Sequence, residues 1–189
     1  MKKLVLSFLL LSYIGFSQEY IVTESGLMDK ANIENTFVVI EAPDKTASEL
    51  YQNAIKYVNE NYKSPDDVIK GKTENEYLRF ETYVPKFTKV NNSGAKIECS
   101  MDYATELRFK NGKVRLEITS LSITADGNGA AGNRVLFSGS IWKGYPIYNS
   151  KNGKLRLPKT KTEIESYFNA KINQIASFLL GKETVVDDW

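Results

Sequence analysis

The chain has 189 residues, of which 42% are hydrophobic and 12% aromatic, so it is globular and long enough to bury a substantial core. Its 25 basic and 23 acidic residues give a formal net charge of only +2, which argues against a general polyanion binder while leaving local charged patches possible. The chain has a single cysteine, Cys99, so an intramolecular disulfide is excluded. It has no histidine, which removes the commonest general base and the commonest metal ligand.

The N-terminus has the pattern of a secretory signal peptide. Met1–Lys3 is basic, Leu4–Phe16 is almost wholly apolar, and Gly15 and Ser17 are small residues at the −3 and −1 positions of a cut after Ser17. The apolar run is too short to span a bilayer, which favours a signal peptide over a retained anchor. No later apolar run is long enough for a membrane helix, so we expect no integral membrane segment after cleavage. The mature chain would begin at Gln18, carry almost no net charge, and be periplasmic or secreted.

The first elements of the mature chain are predicted to be an extended lead-in, a strand and a helix. Residues 18–34 have a mixed pattern, and Thr36–Glu41 is rich in residues that favour strands. Thr46 and Glu49 then fit a capping box, in which a Thr hydroxyl binds a free backbone amide and a Glu reaches back. Apolar residues recur at helical spacing beyond it, which predicts a helix with one apolar face from about Ala47 to Asn61.

Two strands are predicted before the middle of the chain. Asp67–Gly71 has the character of a short strand, after a break at Pro65. Tyr77–Val84 alternates polar and apolar residues, and we expect Pro85 to end it. Asn91–Gly94 then forms a turn.

The most regular stretch is an antiparallel hairpin from Lys96 to Ala125 that turns at Asn111-Gly112. Asn-Gly is a strong hairpin signal because both turn residues readily take positive φ. A two-residue turn predicts one set of inward pairs and one set of outward diagonal pairs. The inward pairs are Phe109 with Val114, Leu107 with Leu116 and Thr105 with Ile118, and the outward pairs are Glu106 with Arg115 and Arg108 with Glu117. Cys99 lies on the inward face, where we expect it to pack as a small hydrophobe.

A glycine-rich segment follows the hairpin. Gly127–Gly132 matches the dinucleotide-binding fingerprint letter for letter. That chemistry needs the loop to open a helix inside a parallel βαβ unit, whereas the next residues here are β-like and the preceding strand is antiparallel. A hairpin loop is therefore the better interpretation. Asp126-Gly127-Asn128 also resembles the start of a calcium loop but lacks its third acid and closing Glu, so we predict neither a cofactor nor a metal site.

The C-terminal third contains a further strand and a long helix. Arg134–Trp142 predicts a strand with a bulge at Gly139. Two alternative capping pairs can begin the helix, Thr160 with Glu163 or Thr162 with Glu165. Gly181 is in the position expected of a C′ residue that stops it.

Four aromatic residues in this further strand and just after it are the candidate binding residues. Phe137, Trp142, Tyr145 and Tyr148 lie in a segment with Gly and Pro, where such side chains can line a ligand groove or a protein interface. The alternative is that they cover one end of the sheet under the final helix, since their area alone explains burial. The predicted partner is an unknown protein or a small apolar ligand, and we expect no nucleic acid.

Catalysis has weaker support in the sequence. A hydrolase that acts through Ser and Lys needs no histidine, and Ser138, Ser140 and Lys143 stand close together. Nothing in the sequence indicates the buried lysine that this chemistry needs. We therefore predict a non-catalytic binding module of the cell envelope, with the hydrolase and a purely structural envelope component as alternatives.

The order strand, helix, four or five antiparallel strands, helix predicts a two-layer α+β fold with two helices on one face of the sheet. We expect a single domain over residues 18–189, with its core at about 35–181. The Ser48–Tyr51 start of helix one and the Lys113–Ile118 strand after Asn-Gly resemble an exported Bacteroidetes family of unknown function with a TATA-binding-protein-like fold. The resemblance covers roughly Thr36–Ala125 and, by position, the final helix.

That resemblance implies a curved antiparallel sheet of about five to six strands and a location in the envelope of Gram-negative bacteria. It supplies no catalytic residues for this chain. Nor does the name of the fold imply DNA binding, because a fold does not determine a function.

Overall fold

The computed structural model describes residues 18–92, 94–126 and 133–182. The predicted signal peptide, residues 1–17, and the predicted loop Gly127–Gly132 lie outside the described residues. In chain order the elements are β1 (Tyr20–Thr23), β2 (Gly26–Asp29), β3 (Phe37–Glu41), α1 (Ala47–Asn61), α2 (Pro65–Val68), β4 (Ile69–Thr73), β5 (Tyr77–Asn92), β6 (Ala95–Lys110), β7 (Lys113–Ala125), β8 (Arg134–Gly139), β9 (Tyr145–Asn149) and α3 (Pro158–Leu180).

The predicted fold class is confirmed: the protein is α+β, with a largely antiparallel sheet and two long helices. Strands β4-β5-β6-β7-β8-β9 follow one another across the main sheet, and β3 is its seventh strand. The outer edge of β7 is shared, because β3 pairs with residues 113–117 and β8 pairs with Ile123 and Thr124. Within the described residues, no helix is long and apolar enough to cross a bilayer.

The two long helices pack on the apolar face of the sheet. Leu50, Tyr57 and Val58 of α1 and Phe168 and Ile172 of α3 are buried in one core with the inward side chains of the strands. The other face carries mainly charged side chains that are exposed or half-buried, including Arg79, Glu81, Asp102, Glu106, Arg108 and Arg115.

The long hairpin has the predicted register. Phe109 faces Val114, Leu107 faces Leu116 and Thr105 faces Ile118. The turn differs from the prediction, because Gly112 takes a positive φ of 80° while Asn111 does not. The Asn111 side chain instead accepts a 2.9 Å hydrogen bond from the Ala47 amide at the start of α1. The tip of the hairpin thus helps to cap the helix.

The expected diagonal ion pairs are replaced by others. Arg115 pairs with Glu117 of its own strand at 2.6 Å, and Arg79 of β5 pairs with Glu106 at 3.6 Å. The register places Arg108 directly opposite Arg115. The Arg108 guanidinium stacks on the Tyr77 ring instead of pairing with Glu117.

The strand that was expected to end at Pro85 continues to Asn92. Its ladder with β6 is interrupted between Val84 and Thr88, and Lys86 has a positive φ of 51° there. Proline is tolerated at a bulge because no ladder hydrogen bond is needed from it. The segment predicted as a strand at Asp67–Gly71 also differs, since Pro65 begins the short helix α2 and the strand starts at Ile69.

The residues expected to form an extended lead-in make the hairpin β1–β2. Its first strand docks on α3, where the Tyr20 amide donates to Asn169 Oδ1 at 2.7 Å and the Val22 amide donates to Glu165 Oε1 at 2.8 Å. These contacts join residues more than 140 positions apart, so no local pattern in the sequence reveals them.

Helix α1 begins as predicted, whereas α3 does not. Thr46 and Glu49 form the capping box of α1 over the predicted range. Helix α3 starts at Pro158, and neither predicted Thr–Glu pair caps it. Thr160 is buried inside the helix, and Glu163 accepts a hydrogen bond from Thr88 Oγ1 at 2.5 Å. The helix ends at Gly181 in the left-handed conformation, as predicted.

Candidate functional site

The four predicted aromatic residues lie around an unusually short connection between two parallel strands. Strands β8 and β9 pair in parallel, with Val135 opposite Tyr145 and Ser138 opposite Tyr148. Parallel neighbours usually need a crossover of a dozen or more residues, but here only residues 140–144 connect them. We call residues 140–144 the crossover turn.

Close backbone contact makes this connection possible. Gly144 has a φ of 150°, and a Cβ atom at this position would lie 2.4 Å from the carbonyl oxygen of Arg134. The return path leaves little room on its inner side, and the side chains in the middle of the turn project away from the core. Ile141 is 56% exposed and Trp142 is 90% exposed.

The other three aromatic residues are half-buried and pack against the core. Tyr148 donates a 3.0 Å hydrogen bond to the Val22 carbonyl oxygen, which ties β9 to the β1–β2 hairpin. The Tyr145 hydroxyl is buried and has no hydrogen-bond partner in the described part of the chain. Phe137 lines a cavity of about 10 Å³ together with core residues such as Ile123 and Ile164. That volume holds at most one water molecule, so this cavity does not admit an organic ligand.

The structure therefore separates the four residues. Phe137, Tyr145 and Tyr148 lie under the surface as part of the packing of β8 and β9, while Trp142 stands on it. Their role in binding stays a prediction.

Within the part of the chain that the structure describes, the serines and the lysine of the alternative hydrolase do not contact one another as that mechanism requires. Ser138 Oγ donates to Glu24 at 3.3 Å, and Ser140 Oγ accepts from the Trp142 amide at 3.4 Å. Lys143 is exposed, whereas the hypothesis requires a buried lysine. This geometry gives the Ser–Lys mechanism no support.

Cys99 is buried, as predicted. Burial, with a smaller contribution from the negative charge of Asp126, raises the pKa of its thiol to about 11. A thiol of this kind is protonated at neutral pH and is a poor nucleophile. Among the described residues, no group of three or more Asp, Glu, Cys or His side chains could hold a metal ion.

Sequence reasoning missed a second surface, on the charged face of the sheet at the tip of the long hairpin. Arg108 is opposite Arg115, and Lys110 is opposite Lys113. We call these four residues the basic cluster. The predicted register already places these like charges opposite each other across the two strands. The symmetric run Arg-Phe-Lys-Asn-Gly-Lys-Val-Arg was the sequence signal that could have revealed them.

Comparison with known proteins gives a family match over part of the chain and a similar fold. Residues 37–124 match the family described as a domain of unknown function (DUF4468) with TBP-like fold. The chain is similar to the crystal structure of a DUF4468 family protein from Bacteroides ovatus, with 12% identity and a TM-score of 0.50 over 79% of this chain and 86% of that one. It is also similar to a TBP-like protein from Parabacteroides distasonis, with 11% identity and a TM-score of 0.49 over 78% of this chain and 92% of that one. No curated protein matches the chain.

Proposed function

We propose a role from the chemistry of this chain's own surface, because residues 37–124 match a family of unknown function with a TBP-like fold and a fold does not determine a function. The protein is a non-catalytic binding module that is exported to the cell envelope. It recognises a partner protein through the crossover turn, with Trp142 as the anchor.

The exposure of Trp142 is the observation that carries this proposal. Its side chain is 90% exposed, although the fold buries or half-buries most of its other large aromatic rings. Trp is enriched among the residues that dominate protein interfaces, because it combines a large apolar area with few rotatable bonds. Ile141, which is 56% exposed beside it, extends the apolar surface.

The shape of the site favours a protein partner over a small apolar ligand. A small apolar ligand needs a concave site that covers most of its surface, and sites for drug-sized ligands have volumes of about 300–1,000 Å³. The cavity next to Phe137 has about 10 Å³, and Trp142 projects from a turn. A projecting aromatic residue fits a pocket on a partner.

The export part of the proposal rests on residues 1–17. Their basic start, apolar run and small residues before Gln18 are the features that a signal peptidase reads. If the proposal is right, N-terminal sequencing of the protein from native cells gives a chain that begins at Gln18 in the envelope or the medium. A full-length chain in the cytosolic fraction would contradict it.

Capture from native envelopes tests the partner. We would compare the wild type with Trp142→Ala and with Ile33→Ala, which removes an exposed apolar side chain elsewhere. One envelope protein should be captured by the wild type and by Ile33→Ala, and should bind purified Trp142→Ala at least about tenfold more weakly. Both variants should keep the stability of the wild type within about 0.5 kcal/mol.

Two results would contradict the proposed site. Capture that does not depend on Trp142 would place the interface elsewhere. A Trp142→Ala variant that unfolds would show that the residue serves packing.

A further inference from the structure

The basic cluster consists of four cations that point to the same side of the sheet. Alternation along the strands places Leu107 and Phe109 of β6 and Val114 and Leu116 of β7 in the core. The cluster residues alternate with them and therefore lie on the charged face. Arg108 directly opposes Arg115, and Lys110 directly opposes Lys113.

Like charges directly opposite each other destabilise a sheet. Surface strands usually mix the two signs, and a mixture would serve solubility equally well. A block of four cations therefore has an electrostatic cost that an anion would remove. We propose that the basic cluster is a binding site for a phosphate monoester with a small apolar group.

Aromatic rings hold the two arginines in place. The Arg115 guanidinium carbon lies 3.9 Å from the centroid of the Phe37 ring on one side, and the Arg108 guanidinium carbon lies 5.0 Å from the centroid of Tyr77 on the other. A guanidinium over an aromatic face keeps its charge and most of its donors. Both guanidinium groups are thus ordered before a ligand binds.

Few carboxylates compensate this charge. Within the described residues, Arg108, Lys110 and Lys113 form no ion pair, and Arg115 pairs with Glu117 at 2.6 Å. The Arg115 Nε–H group is buried and has no hydrogen-bond partner there. Glu41 faces Lys113 from the neighbouring strand. Four cations and these two carboxylates leave an excess of about two positive charges, while Glu106 on the same face pairs with Arg79 at 3.6 Å. That excess matches the charge of a phosphate monoester near pH 7.

The cluster also has a shape that fits a small molecule. A cavity of about 240 Å³ is lined by all four cations together with Phe37 and Val39. The guanidinium groups can bind phosphate oxygens in pairs, and the ammonium groups add point charges. Phe37 and Val39 supply an apolar wall for the group that carries the phosphate.

This site is independent of the proposed partner surface. The basic cluster lies at the hairpin tip, whereas β8 and the crossover turn join β7 at Ile123 and Thr124 near its opposite end. Failure of one proposal therefore leaves the other intact.

Calorimetric titration of the full chain with phenyl phosphate tests the inference. We expect saturable one-to-one binding with a Kd of about 1 mM or tighter. Inorganic phosphate, which lacks the ring, and benzoate, which has one charge, should each bind several-fold more weakly.

Variants locate the binding. Arg108→Gln and Lys110→Gln should each weaken phenyl phosphate binding about tenfold, because each removes a charged hydrogen-bond donor. Lys89→Gln is the matched control: it removes the same charge from the far end of the same face, where Lys89 pairs with Glu98, and should change the Kd less than about twofold.

A second measurement does not depend on the ligand. Lys110→Glu should raise the melting temperature of the ligand-free protein, because it replaces a repulsive pair with an attractive one, and should abolish phenyl phosphate binding. Binding that does not saturate, that is equal for benzoate, or that survives Arg108→Gln and Lys110→Gln would overturn the inference. So would a Lys110→Glu variant that binds as the wild type does.

Discussion

The hydroxyl of Tyr20 donates a 3.0 Å hydrogen bond to the carbonyl oxygen of Leu116, 96 residues further along the chain. The Tyr20 side chain is completely buried, and the Thr36 carbonyl oxygen lies 3.3 Å from the same hydroxyl. Through this contact the N-terminal hairpin is fixed to the central hairpin of the sheet. The first strand is therefore part of the core and not a peripheral addition.

Removing only the hydroxyl measures this connection. We expect Tyr20→Phe to lower the free energy of unfolding by about 1 kcal/mol, since one net hydrogen bond is lost and the ring still fills its site. Tyr20→Ala should cost about 3–5 kcal/mol, because it also leaves a cavity. Urea unfolding gives both values, and Tyr83→Phe on the exposed Tyr83 is the control that should show no change. A Tyr20→Phe variant as stable as the wild type would mean that the hydroxyl gains nothing over its contacts with water.

Buried tyrosines should make the protein sensitive to alkaline pH. Burial raises the pKa of Tyr20, Tyr57 and Tyr103 well above the ordinary tyrosine value of about 10. Above that pH the unfolded chain releases these protons while the folded chain keeps them, so the unfolded state binds fewer protons and stability falls as pH rises. The contribution is fully present below about pH 10 and decreases above it by about 1.4 kcal/mol per pH unit for each tyrosine.

Tyr57 offers a clean way to test this dependence. Its hydroxyl is buried without a well-aligned hydrogen bond among the described residues, so Tyr57→Phe removes a titrating group while the ring still fills its site. Unfolding free energies measured from about pH 9 to 11 should fall less steeply in Tyr57→Phe than in the wild type, by the slope of one tyrosine. Equal slopes in the two proteins would contradict the assignment.

The single thiol should be inert in the folded protein. Burial raises the pKa of Cys99 to about 11, so its thiolate fraction near pH 8 is roughly a hundredfold lower than that of a free cysteine. We expect a thiol reagent to label the native chain at least that much more slowly than the urea-unfolded chain. Rapid stoichiometric labelling of the folded protein would show that the hairpin opens locally or that Cys99 is accessible.

What the sequence predicts well depends on how local the causes are. Helix α1 follows from its own capping box and apolar spacing, and the register of β6 and β7 follows from the Asn-Gly turn and the alternation of the two arms. Each of these signals lies within a few residues of the structure that it determines. The bounds of α1 and the residue pairs between β6 and β7 were therefore predicted correctly.

The errors occur where a distant contact decides the structure. Strand β1 pairs with β2 and docks on α3, where Asn169 and Glu165 accept its amide protons. The predicted caps of α3 fail because the helix already begins at Pro158, and Glu163 and Glu165 bind Thr88 and Val22 instead. The candidate site has the same limitation. Which of its aromatic residues faces solvent depends on the short parallel connection of β8 and β9, and no periodicity in the sequence encodes that connection.

That connection leads to a last prediction, at Gly144. Its φ of 150° is unfavourable for a residue with a side chain, and an added Cβ atom would lie 2.4 Å from the carbonyl oxygen of Arg134. Because the neighbour is backbone, it cannot rotate away. We expect Gly144→Ala to lower the free energy of unfolding by about 2–4 kcal/mol.

Gly26→Ala separates the two causes. Gly26 also has a positive φ, 133°, but a Cβ atom there would have none of the described residues within 4 Å. Its substitution should therefore cost only the conformational part, about 1–2 kcal/mol, and the difference between the two variants measures the clash with Arg134. Urea unfolding of both variants gives this difference. If Gly144→Ala cost no more than Gly26→Ala, the return path from β8 to β9 would be wider than the structure shows, and Trp142 would not be held outward by it.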